Sequence, residues 1–173
     1  VNLEILDLSK NEIGDIGAGT IGDNNTWEKL VQLDLSWNKI NKKQTVVSFC
    51  IKGTWKALKY LYLGDNPAVL EATDAFKAIE GVASKNLEEI DLPGASFERA
   101  WLQCLKYNEP ESALDLPLSK KRCNALHASI IGLNTTWKNL QTLDLESNSI
   151  GAEGATALSK NTTWTNLQTL NLG

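Results

Sequence analysis

The sequence predicts an α/β repeat fold, a curved solenoid with parallel strands on its concave face and helices on its convex face. Three observations predict it. The phrase Leu-x-x-Leu-x-Leu starts at Leu3, Leu30, Leu58, Leu140 and Leu167, and at Leu87 with Ile90 in the second place. Successive starts are 27, 28, 29, 53 and 27 residues apart, and the long step is close to two short ones. Trp27, Trp55, Trp137 and Trp164 each stand three residues before the next first leucine. A hydrophobic period of this length marks stacked units, none of which can bury its apolar face alone.

The strand comes first. Leu-x-Leu has period two, so both leucines point to one side of a short strand. Stacked strands lie about 4.8 Å apart, and parallel neighbours need a crossover of a dozen or more residues. The rest of each unit is long enough for a turn, a helix and a return. Helical spacing of apolar residues is present in residues 42–51 (Val46, Val47, Cys50, Ile51), 71–80 (Ala72, Ala75, Phe76, Ile79) and 98–105 (Trp101, Leu102, Leu105). A short Ala-rich segment at 152–158 completes the set. Asn11, Asn38, Asn66 and Asn148 follow the strands. The chain turns there and backbone groups lose their sheet partners. A buried amide can satisfy them and bond to the turn of the next repeat, and losing such a partner costs about 1–3 kcal/mol. The tryptophans fill the space where each helix returns. Burying roughly 150–250 Å² of ring at about 25 cal/mol/Å² sets an upper limit of about 4–6 kcal/mol each.

The phrase Leu-x-x-Leu-x-Leu-x-x-Asn-x-Ile, together with Gly-Ala-Glu-Gly-Ala-Thr-Ala-Leu at 151–158, resembles the leucine-rich repeats of the ribonuclease-inhibitor-like subclass. The resemblance covers nearly the whole chain and is weak between about residues 93 and 133. It implies a cytosolic horseshoe that binds proteins on its concave face. Two other roles use repeats of this kind, the sensing arm of a NOD-like multidomain receptor and a GTPase-activating protein of the Ran type. A nucleotide-binding domain in flanking sequence would mark the first, and stimulated GTP hydrolysis the second.

Residues 1–173 read as a single domain with repeats starting near 3, 30, 58, 87, 111, 140 and 167, the last truncated. The unit at Glu111 is degenerate, with Leu114 and Leu116 inward and Ser119 at the asparagine position; its steps are 24 and 29 residues. The alternative is a long insertion. Ala95 replaces the turn asparagine of the preceding unit, and Ser84 and Asn108 stand where tryptophans are expected. Pro93, Pro110 and Pro117 fit a sheet interrupted at its margins.

Composition bounds the function. The chain is 42% hydrophobic with no apolar run near 18 residues, so no membrane span is expected. Cys50, Cys104 and Cys123 are an odd count without metal spacing and fit a reducing, cytoplasmic setting. Asn24-Asn25-Thr26, Asn134-Thr135-Thr136 and Asn161-Thr162-Thr163 have the form of glycosylation acceptors, but their common phase suggests a helix-end turn instead. His127 is the single histidine and is expected to be structural. No phosphate-binding glycine motif, nucleophile constellation or metal-ligand spacing occurs, so no catalytic residue, cofactor or metal is assigned. Lys120-Lys121-Arg122 reads as a solvated turn, and no nucleic-acid partner is expected on an acidic surface.

The binding candidates lie on the strand face. Between the inward leucines the outward residues run Asp7, Asp34, Tyr62, Asp91, Asp115, Asp144 and Asn171, flanked by acids including Glu146. Such a column favours a basic protein partner and speeds its approach. Trp37, Tyr60 and Tyr62 add aromatic surface of the kind that dominates interfaces. Neither end of the chain has the polar outer face of a capping repeat, so the chain reads as part of a longer array with apolar ends. Concentration-dependent self-association is therefore expected. Light scattering that finds a monomer at high concentration would contradict it.

Overall fold

The computed structural model describes residues 2–98, 102, 105 and 115–173. They fall into two compact units, residues 1–106 and 107–173. In the first unit strands and helices alternate: β1 (Ile5–Asp7), α1 (Asp15–Gly22), β2 (Gln32–Asp34), α2 (Lys43–Lys52), β3 (Tyr60–Tyr62), α3 (Ala72–Gly81), β4 (Glu89–Leu92) and then β5 (Ala95–Glu98). The second holds β6 (Asp115–Pro117), α4 (Ala125–Leu133), β7 (Thr142–Asp144), α5 (Gly151–Ser159) and β8 (Thr169–Asn171). Each unit is an α/β repeat fold. Helices α2, α3 and α5 match the expected segments to within a residue or two.

Strands β1 to β4 pair in parallel and in one register, Leu6 with Leu33, Leu33 with Leu61, and Leu61 with Ile90. In the second unit Leu116 pairs with Leu143 and Leu143 with Leu170. A one-residue slip would turn every leucine outward, so burial fixes this register. Leu33, Leu35, Leu61, Leu63, Ile90, Leu143 and Leu145 are all at most 1% exposed.

The turn asparagines hold successive repeats together. The Asn38 Nδ2 donates to the carbonyls of Leu8, Leu35 and Ser36 at 2.9, 3.1 and 3.2 Å, and its Oδ1 accepts from Ile13 N at 2.9 Å. Asn66 repeats this with Leu35, Leu63 and Gly64, and accepts from Ile40 N. Asn148 does so with Leu118, Leu145 and Glu146, and accepts from Cys123 N. The inter-repeat bonds run to the preceding repeat, not to the next one as the sequence suggested. Asn11 donates only to Leu8 and Ser9 of its own turn.

The tryptophans pack where the helices return. Trp27 stacks on Trp55 and Trp137 on Trp164, each pair 6.4 Å between centroids. Among the described residues the buried indole N–H groups of Trp55, Trp137 and Trp164 have no hydrogen-bond partner, which offsets part of the gain from burying the rings. At the next tryptophan position Ser84 is fully buried, and its hydroxyl donates to Lys56 O at 3.1 Å. The three acceptor-like triplets are turn locks. Asn24, Asn134 and Asn161 each accept from the backbone N–H and the hydroxyl of the threonine two residues on. Asn134 is buried, and Asn161 Nδ2 donates to the carbonyls of Gly132 and Asn134.

The middle of the chain departs from expectation in two ways. Residues 95–98 are not the turn and helix start of another regular repeat. Pro93 and Gly94, the latter at φ 92°, make a tight reversal, and β5 runs back antiparallel to β4 with Leu92 opposite Ala95. Ala95 has no amide with which to hold the usual turn. Phe97 on β5 is fully buried opposite Ile90, while the helix expected over 98–105 is described only at Leu102 and Leu105, both helical and buried.

The second departure is register. Leu116 is the equivalent of Leu143, and Leu118 N donates to Asp144 O as Leu8 N does to Asp34 O. The degenerate repeat therefore starts near residue 113, not Glu111. Lys121, not Ser119, takes the asparagine position; Leu114 and Asn108 lie outside the described residues. Two leucine pairs compete at spacing two, Leu114 with Leu116 and Leu116 with Leu118. Donors toward β7 come from alternate residues such as Leu118, so the missing N–H of Pro117 costs that pairing nothing.

Replacing Asn66 with alanine should lower stability by about 1–3 kcal/mol, because three buried carbonyls and one N–H lose their partner. Asn11→Ala should cost less, and urea denaturation of the two variants measures the difference.

Candidate protein-binding face

Each three-residue strand shows two residues outward, on either side of its central leucine. In the first unit the leading positions are Ile5, Gln32, Tyr60 and Glu89, and the trailing ones are Asp7, Asp34, Tyr62 and Asp91. The sheet thus brings together five of the expected residues: Asp34, Tyr60, Tyr62 and Asp91 in adjacent strands, with Asp7 at the edge. Asp144 and Asn171 hold the trailing positions in the second unit, with Glu146 exposed just beyond β7. Asp115 does not belong to that column. It pairs with Thr142, and Pro117 is opposite Asp144. The displaced register explains the misplacement.

Most of the aspartates have a local task. The Asp7 Oδ1 accepts from Ser9 N at 2.9 Å. Asp34 Oδ1 accepts from Ser36 N at 2.8 Å and from its hydroxyl at 2.6 Å. Asp144 Oδ1 accepts from Glu146 N at 3.0 Å, and Asn171 Oδ1 from Gly173 N at 3.2 Å. Each side chain closes the turn that follows its own strand, a standard use of Asp and Asn. The hydrogen bonds from Ser9 hold the Asp7 carboxyl below the usual aspartate range. The column is thus largely part of the scaffold.

Asp91 differs. The residue two positions on is Pro93, which has no N–H to give. Among the described residues no hydrogen bond reaches its carboxylate. The carboxylate leans over Gly64 of the preceding repeat, where any Cβ would collide with it. Burial pushes its pKa up to about 6, and Asp65, Glu89 and Asp34 add repulsion. Gly64 and Asp65 carry no role in the sequence pattern, and Pro93 is expected there only to mark an interrupted sheet. The visible signal was Asp-x-Pro at Asp91 where the repeats of Asp7 and Asp34 read Asp-x-Ser.

The tyrosines are held by glutamates of the following repeat. Tyr60 donates to Glu88 Oε2 at 3.0 Å, and Glu88 pairs with Lys59 Nζ at 3.1 Å. Tyr62 donates to Glu89 Oε2 at 3.4 Å. Burial, then Glu89, raises the Tyr62 phenol to about 12, so it stays a neutral donor. Trp37 sits in the turn after β2 at φ 55°, a left-handed conformation also adopted at Lys10, Asp65 and Ser147. A bulky side chain is uncommon there. The ring is 57% exposed. Among the described residues it contacts no other ring, so it does not merge with the tyrosines into one stacked patch.

His127 is buried in the cap of α4, its Nδ1 2.9 Å from Asn124 Oδ1. Among the described residues no group of three acids, histidines or cysteines could hold a metal ion. None of their helices is long and apolar enough to cross a membrane.

A tandem series of strand–turn–helix units, each offering two strand side chains to solvent, defines the class as a parallel α/β repeat protein. Residues 1–22, 28–43 and 138–159 match the family model described as Leucine Rich repeat. Comparison with curated proteins and with solved structures found no match.

The state of Asp91 bears on stability. Its carboxyl keeps a proton to higher pH in the folded chain than in the unfolded one. The folded state is thus penalised as pH rises from about 4 to about 6, and the penalty is complete above that window. Asp91→Asn should raise stability at pH 7 by about 1 kcal/mol, after allowance for solvent screening. The gain should vanish near pH 4, as urea denaturation at the two pH values will measure.

Proposed function

We propose that the chain is a protein-binding segment of a curved leucine-rich-repeat solenoid of the ribonuclease-inhibitor type, acting through the outward face of its strands. The observation that carries this reading is Trp37, a large apolar ring more than half exposed in a conformation that disfavours bulky residues. Strained, exposed aromatic positions are retained where a partner uses them. Tyr60 and Tyr62, fixed by Glu88 and Glu89, supply rigid amphipathic surface on the neighbouring strand. The surrounding carboxylates favour a basic protein and a fast approach. Leucine-rich repeats generally mediate protein–protein interaction and are typically non-enzymatic, in keeping with a role that is binding rather than catalysis. A cytoplasmic setting is supported by the buried thiol of Cys123 and by the engaged amides of Asn134 and Asn161.

Against a binder selected on the wild-type chain, Trp37→Ala and Tyr62→Ala should each lower affinity about tenfold or more. If Trp37→Ala, Tyr62→Ala and Asp91→Ala all bind as wild type in calorimetric titration, the strand face is not the site.

A further inference from the structure

Asp7, Asp34 and Asp144 each accept a hydrogen bond from the residue two positions on, so their charges are already engaged. Asp91 alone of the aspartates at this position is followed by a proline at that place. A second departure falls beside the first. Gly64 stands where Ser9, Ser36 and Glu146 stand in other repeats, and its lack of a side chain leaves the space that the Asp91 carboxylate occupies. One substitution removes the local donor and the other makes room for the carboxylate over the preceding repeat.

The charged groups around Asp91 come from every neighbouring element. Asp34 lies on β2, Tyr62 is its partner on β3, Asp65 is in the turn after β3, and Glu89 is on β4 itself. On β5, Ser96 is its register partner and Glu98 faces Glu89. The charged groups acting on Asp91 are all acidic. A half-buried carboxylate with no donor and only like charges nearby is incomplete, and a cation completes it.

We propose that Asp91 is the point on this face that receives one cationic side chain, lysine or arginine, of a partner protein, and that it does so only when ionised, so that the complex weakens in mild acid. This rests on the reading of the strand face as a protein-binding surface. Tyr62 and Tyr60 flank the position and would sit against the aliphatic stem of the incoming side chain. Binding a cation favours the ionised carboxylate, so a proton held by Asp91 is released on binding. Affinity should therefore fall as pH drops through about 6, the free-state value.

The test uses the full chain and a fluorescein-labelled peptide of nine arginines, read by anisotropy at constant ionic strength. Wild type should bind about tenfold more weakly at pH 5 than at pH 7.5. Asp91→Asn should lower affinity about tenfold at pH 7.5 and abolish the pH dependence. Pro93→Ser keeps the Asp91 charge but restores the turn donor its sister repeats have. It should weaken binding comparably and move the pH dependence to lower values. Glu80→Gln on α3 removes the same charge from the helix side and should have little effect. If Asp91→Asn matches Glu80→Gln, or Pro93→Ser binds as wild type, the role of Asp91 is overturned while the face still binds basic peptide. If wild type binds no peptide at pH 7.5, the reading of the face as a surface for basic proteins fails with it.

Discussion

The asparagine amide at each turn is the interaction on which the rest depends. A three-residue strand makes too few backbone bonds to hold its place, and the turn that follows strips carbonyls of sheet partners. Asn38, Asn66 and Asn148 supply those partners from the side chain and reach across to the repeat before. Satisfaction of the turn and attachment of the neighbour are one event, so a repeat is properly closed only when stacked. The leucine core, the parallel register and the outward face all presuppose that closure. Where the amide is missing, at Ala95, the chain does not repeat the pattern but reverses into β5.

The outward face has two kinds of residue that look alike in sequence. Asp7, Asp34 and Asp144 act on their own turns, whereas Asp91 leans over the preceding repeat with no donor from its turn. Placement on a strand face therefore does not make an acid a recognition element. What separates the two kinds is the identity of the residue two positions on, a purely local matter of whether an N–H is present. The aromatic residues divide similarly. Tyr60 and Tyr62 are oriented by glutamates, while Trp37 is presented by the backbone conformation of its turn.

Much of the fold was legible because the leucine period couples local pattern to stacking: strand positions, the inward leucines and α2, α3 and α5 all follow from it. The failures were local. At 113–118 two overlapping leucine pairs offered two registers, and choosing Leu114 and Leu116 over Leu116 and Leu118 put Asp115 in the wrong column. Period-two patterns cannot resolve such a slip without knowing which donors face the neighbour. At 95–98 a Pro-Gly turn overrode the repeat, since antiparallel pairing needs only two residues where parallel pairing needs a crossover. For the candidate site, the acids and aromatics could be read directly, but which carboxylate was engaged depended on Gly64 and Pro93, residues with no charge to draw notice.

Strand β5 also bears on solubility. A parallel edge built from repeats is a template for more of the same, since any strand of like pattern can add to it. Within the first unit, β5 covers that side of β4 with a strand of opposite direction. Strand β5 itself carries exposed Ser96 and Glu98 alternating with buried Ala95 and Phe97, a pattern ill suited to seeding fibrous growth.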